Sequence, residues 1–97
     1  MREAVRQLST MGQFPAESNA DQQQVERFET LLTSVAPPLT IEEAGVLAGL
    51  LGPDEFFGGG WTILHLLESM PEWPIDDVLR RIAQPWQDRM RNRLKKF

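Results

Sequence analysis

Apolar residues recur along this chain at steps of three and four, a spacing that predicts helices. The clearest stripe is Val25, Phe28, Leu31, Leu32 and Val35, opposed by Gln22, Gln23, Glu26, Arg27, Glu29 and Thr30. Ser18-Asn19-Ala20-Asp21 offers N-cap residues before it and Pro37-Pro38 a stop after it, so a helix is expected to about residue 35. Thr40-Ile41-Glu42-Glu43 reads as a capping box opening a helix through Ala44, Val46, Leu47, Ala48, Leu50 and Leu51. Gly52-Pro53 closes it, with Gly52 expected as the residue just past the end. Small residues Ala44, Gly45, Ala48 and Gly49 in this segment allow close approach of another element.

Three further stripes complete the pattern. Trp61, Ile63, Leu64, Leu66, Leu67 and Met70 point nearly all round a helix, as in an element covered on several sides. A strand is the competing reading for so short a run, but the Leu, Met, His and Glu content and the stop at Pro71 favour a helix. Val5, Leu8 and Met11 make a weaker stripe ended by Gly12, leaving two readings of the first ~15 residues: a loosely attached helix that frays, or one anchored by Phe14 packing back onto the body. Val78, Leu79, Ile82, Trp86, Met90 and Leu94 form the last, with Pro85 predicting a break near 83–85. Asp76 and Asp77 in its first turn, with Arg80 and Arg81 later, suit the helix dipole. The expected fold is all-α: residues 1–97 as one compact bundle of four to six helices around an apolar helix near 60–70.

Composition narrows the chemistry. Ninety-seven residues suit a single domain, and the absence of cysteine excludes disulfides and zinc–thiolate sites. Met1-Arg2-Glu3-Ala4-Val5-Arg6-Gln7 lacks the apolar core of a signal peptide, and no apolar run approaches the roughly 20 residues of a membrane span. A soluble, cytoplasmic protein is the expectation. Charge is uneven: residues 1–79 hold thirteen acids against three arginines, a net of −10, whereas residues 80–97 carry +6. An acidic body with a basic tail is a hint about partners.

Candidate catalytic groups lack companions. His65, the only histidine, is expected as a partly buried core residue hydrogen-bonded to Glu68 one turn on. There is no HExxH motif or EF-hand loop, and Ser9, Ser18, Ser34 and Ser69 offer no identifiable nucleophile beside it. Gly58-Gly59-Gly60 precedes a helix but lacks the GK[ST] ending of a phosphate loop, and Asp54 and Glu55 would repel phosphate. The glycines read instead as joints that let Phe56, Phe57 and Trp61 fold inward. No enzymatic activity, catalytic residue, metal or cofactor is expected.

The acids beside aromatics are the stronger lead. Asp54 and Glu55 adjoin Phe56 and Phe57, while Glu68, Glu72, Asp76 and Asp77 flank Trp73. Exposed, these nine residues make a partner-binding surface, with aromatic anchors and charges that speed encounter with a basic protein. The opposing reading puts the aromatics in the core and leaves the acids as solubilising groups. The basic tail, with Trp86, Met90, Leu94 and Phe97, is read chiefly as packed, its cations solvated or paired with the protein's own acids. Binding of a nucleic acid or a membrane surface is the lesser alternative, and overall acidity disfavours nucleic acid.

The run Leu51-Gly52-Pro53-Asp54-Glu55-Phe56-Phe57-Gly58, followed by Trp61-Thr62-Ile63-Leu64-His65-Leu66-Leu67-Glu68 and Pro71-Glu72-Trp73-Pro74, resembles a pattern in short uncharacterised bacterial proteins of the toxin-immunity type. The resemblance covers residues 50–74 and departs at the second and third glycines. It implies a small bacterial protein that neutralises a cognate toxin or effector, itself basic, and it carries no catalytic residues. The alternative is a homodimer or helical adaptor, self-associating through residues 41–51 or 78–94.

Overall fold

Six helices and one 3₁₀ turn carry the chain in a computed structural model that describes residues 1–95. In order they are α1 (Glu3–Met11), the turn Glu17–Asn19, α2 (Gln22–Thr33), α3 (Ile41–Leu50), α4 (Gly59–Glu68), α5 (Asp76–Leu79) and α6 (Trp86–Leu94). No strand occurs among the described residues, and the all-α bundle is the fold the stripes predict. Lys96 and Phe97 of the basic tail lie outside the described residues. The Cα radius of gyration, 12.6 Å, is that of one domain of this length, for which about 13 Å is typical.

Helix ends follow local chemistry. Asp21 caps α2, its Oδ1 accepting from the Gln24 amide at 2.7 Å. Thr40 Oγ1 accepts from the Glu43 amide at 3.1 Å while Glu43 Oε1 accepts from the Thr40 amide at 3.0 Å, completing the capping box. The long C-terminal stripe divides: α6 starts at Trp86, immediately after Pro85, but α5 already ends at Leu79, earlier than the break expected near 83–85.

The centre of the bundle is shared. α3 packs against α1, α4 and α5, and α2 packs against α1 and α4. Between them Phe28, Leu47, Leu51, Ile63, Leu64 and Leu67 are sealed from solvent. Phe14, Phe28 and Phe56 form an aromatic trio, with Phe14 stacked on Phe56 at 4.5 Å and Phe28 edge-on to both at 4.8 and 5.2 Å.

Four sequence expectations are resolved or changed. The N-terminus takes the docked alternative: Val5 and Leu8 of α1 are wholly buried and Phe14 is 2% exposed. Gly52 is outside the left-handed region; it is glycine because the Phe14 carbonyl oxygen would lie 2.2 Å from its Cβ. Phe57 stays out of the core. His65 is exposed, because α4 keeps one open stripe, Gly58, Thr62, His65 and Ser69, spaced at three and four along an otherwise covered helix. Glu68, its expected partner, is taken by Arg93.

Docking of α1 centres on Glu43, buried to 2% exposure. Its Oε2 accepts from Arg2 Nε at 2.7 Å and from the Arg2 amide at 3.1 Å. The same guanidinium donates to the Ala36 and Pro38 carbonyls at 2.7 Å each, so one side chain ties the N-terminus to the α2–α3 connection and to α3. The Arg2 hydrogen bond lowers the Glu43 carboxyl from its ordinary 4.5 to about 2, against the opposing effect of burial and with help from the Thr40 and Arg2 amides. A depressed folded-state value stabilises above the unfolded value and is lost as pH falls through the folded one. Glu43→Gln is therefore expected to cost about 2 kcal/mol at neutral pH, the partial exposure of Arg2 tempering the full linkage value. In urea denaturation the gap between wild type and variant should be full above pH 4.5 and close as pH falls towards about 2.

Candidate functional site

The connection from α3 to α4 is built by carboxylates. Asp54 Oδ1 accepts from the Phe56 amide at 3.1 Å, the two-residue reach of an Asx turn. Its Oδ2 accepts from the Glu17 amide at 2.9 Å, and its carbonyl accepts from Trp86 Nε1 at 3.0 Å. Glu17 in turn accepts from the Phe57 amide at 2.6 Å. Glu55 Oε1 accepts from Trp61 Nε1 at 2.9 Å.

This scaffold holds an unusual backbone. Phe56 (φ 44°), Phe57 (φ 53°) and Gly58 (φ 90°) are consecutive left-handed residues, a conformation that glycine tolerates and bulky side chains resist. Each strained position costs of order 1–3 kcal/mol. The result is a division of labour: Phe56 turns inward, 3% exposed, and Phe57 turns outward, 62% exposed. The amides of Gly58, Gly59 and Gly60 are occupied by the Glu55 and Phe56 carbonyls, so the glycine run has no free amide cradle to offer an anion. Gly60 instead admits Trp86, whose ring would lie 2.2 Å from a Cβ there.

The nine residues nominated from sequence separate into two groups at opposite ends of α4, roughly 14 Å apart along its axis. At the first end Glu55 and Phe57 are exposed, Asp54 is half-buried in the turn, and Phe56 belongs to the core. At the second, Glu68 is half-buried and held by both Arg93 Nε and Nη2 at 2.7 Å, which strengthens the hold of Arg93 on its proton. Asp77 is paired with Arg80, and Glu72 and Asp76 are exposed. Trp73 is half-buried, and its Nε1 has no hydrogen-bond partner among the described residues.

The basic helix is engaged with its own protein. Trp86 and Met90 are wholly buried, and the Arg89 guanidinium lies 4.5 Å from the Trp86 ring and 5.9 Å from Trp61, in cation–π geometry. Arg91 and Lys95 face solvent.

Glu17 is the residue that sequence reading missed. It lies 40 positions from the amide it binds, inside a Pro/Ser/Asn-rich turn that carries no periodic signal. Among the described residues no group of three His, Asp or Glu side chains is arranged to hold a metal ion, and no helix is long and apolar enough to cross a membrane. Comparison with protein-family models, curated proteins and solved structures gave no match.

Proposed function

We propose that this is a non-enzymatic protein-binding module, an inhibitor of the bacterial immunity type that covers the basic surface of a cognate toxin in the cytoplasm. The observation carrying this reading is Phe57: a large aromatic held 62% exposed on a strained left-handed turn, fixed there by Glu17 and bordered by Glu55. Strain of this kind persists only where the surroundings over-determine it, and it concentrates at functional positions. A rigid exposed aromatic rimmed by carboxylates is the form of an interface anchor for a cationic partner. The sequence resemblance over residues 50–74 spans the same turn.

The test is co-expression with the product of the neighbouring gene, reading complex formation and rescue from toxicity. Phe57→Ala is expected to weaken the complex by at least about 30-fold, the effect of losing an aromatic hot spot. Asp76→Lys with Asp77→Lys, at the far end of α4, should leave affinity unchanged. A complex indifferent to Phe57→Ala would remove this turn from the interface. Asp54 is a poor choice for charge reversal, because its carboxylate supports the turn itself.

A further inference from the structure

Beside Phe57 a groove of about 300 Å³ opens between α2 and the start of α4. Phe28, Leu32 and Phe56 are among its apolar lining residues, Phe57 stands at one side, and Glu29 and Thr62 contribute polar groups. A shallower hollow continues along α2 past Glu26 and shares Glu29 with the first. No lysine or arginine lines either hollow. Glu43, Glu68 and Asp77 each hold an arginine of this chain. Glu26 and Glu29, one turn apart on α2, share with the remaining acids the lack of an ion pair among the described residues; what sets them apart is their place beside this groove.

We propose that this groove seats one aliphatic side chain of a cationic segment of the partner protein, with lysine or arginine beside that anchor meeting Glu26 and Glu29. The inference rests on the partner-binding reading above and gives it an address and a chemistry. Size fits the occupant: the groove is at the lower edge of the roughly 300–1,000 Å³ typical of small-molecule sites, enough for a side chain. Charge selects its neighbours, since two unpaired carboxylates beside a slot of mixed apolar and polar lining attract cations and repel an acidic segment. Phe57 supplies the wall against which the anchor packs, which gives the strained turn a purpose that core packing alone does not.

The probe is a short amphipathic peptide carrying one leucine among lysines, titrated into the full chain and followed by backbone amide shifts. Two twins accompany it, one with alanine for the leucine and one with glutamate for the lysines. Shifts are expected at Val25, Glu29, Phe57, Gly59 and Thr62, with both twins weaker by about tenfold or more. Glu26→Lys with Glu29→Lys, and separately Phe57→Gly, should each weaken the peptide about tenfold. Phe57→Gly also tests the strain, because glycine accepts the left-handed backbone and the melting temperature should hold or rise. Shifts centred elsewhere, equal binding of the acidic twin, or no saturable binding would overturn the groove. If the neighbouring gene's product binds but ignores the Glu26 and Glu29 reversals, the groove falls and the immunity reading stands. If the peptide occupies the groove while that product does not bind, the groove stands and the immunity reading falls.

Discussion

Trp86→Ala should cost roughly 4 kcal/mol, as removal of a fully buried tryptophan commonly does, a large part of the roughly 5–15 kcal/mol that holds a small domain together. Trp86 is 0% exposed, and its ring meets Trp61 edge-on at 5.0 Å and carries the Arg89 guanidinium at 4.5 Å. Its Nε1 is also the donor to the Asp54 carbonyl, so the indole ties α6 to the turn that presents Phe57. The alanine variant therefore loses apolar burial, strands Arg89 beside a void, and frees the base of the candidate interface. Trp86→Phe separates these effects: it keeps much of the packing but leaves the Asp54 carbonyl without its donor, an expected loss of about 1–2 kcal/mol. Urea denaturation of both variants measures the difference. Hydrogen exchange at residues 55–60 reads the release of the turn, which packing loss at a remote core position would not produce. The same contact can be attacked from α4. Gly60→Ala gains about 1 kcal/mol of helix propensity, but the new Cβ would lie 2.2 Å from the Trp86 ring, and overpacking should win.

These contacts explain what the sequence reveals and what it hides. Helices α2 and α3 are legible because their signals are local: Asp21 and Thr40 cap, Glu43 sits three residues after Thr40, and prolines stop the chain. The start of α6 at Trp86 follows from Pro85, whereas the end of α5 at Leu79 lies too far upstream to do so. His65 is misread because apolar neighbours on both sides suggest burial, while the exposed stripe Gly58–Thr62–His65–Ser69 becomes visible only when α4 is packed. At the candidate site, the turn between α3 and α4 is legible from its glycines, but the orientation of its aromatics is not. Adjacent phenylalanines at 56 and 57 look equivalent in sequence, and only the left-handed turn sends one into the core and the other to solvent. Glu17 and Glu43 act through partners 40 and 41 residues away, a distance over which no periodic pattern carries information. Gly52 belongs to the same class of long-range facts, and it gives the second large effect.

Gly49→Ala and Gly52→Ala, three residues apart, should move stability in opposite directions. Gly49 lies within α3, is exposed, and a Cβ there would meet nothing within 4 Å. Alanine at that position gains helix propensity at no steric cost, an expected stabilisation of about 0.5–1 kcal/mol. Gly52 is buried, and its Cβ would lie 2.2 Å from the Phe14 carbonyl oxygen and 3.1 Å from Phe14 Cβ. The obstacle is backbone, and that backbone is pinned. The Phe14 amide donates to the Leu50 carbonyl at 2.8 Å, and Gln13 Nε2 donates to the Leu51 carbonyl at 2.8 Å. The Phe14 ring is locked between Phe28 and Phe56. Relief requires the two segments to separate by roughly 1 Å, enough to weaken those hydrogen bonds and open the aromatic trio, since close-packed contacts lose much of their attraction over such a gap. The expected loss is about 3 kcal/mol or more, the upper range of overpacking. Because Phe56 is the inward half of the Phe56–Phe57 pair, the disturbance should also reach the outward one. Denaturation midpoints for the two variants, with tenfold or greater weakening of partner affinity for Gly52→Ala alone, would place the aromatic trio as the support of the Phe57 turn. Equal midpoints would show that residues 13–14 yield easily and that the turn is held by its carboxylates instead.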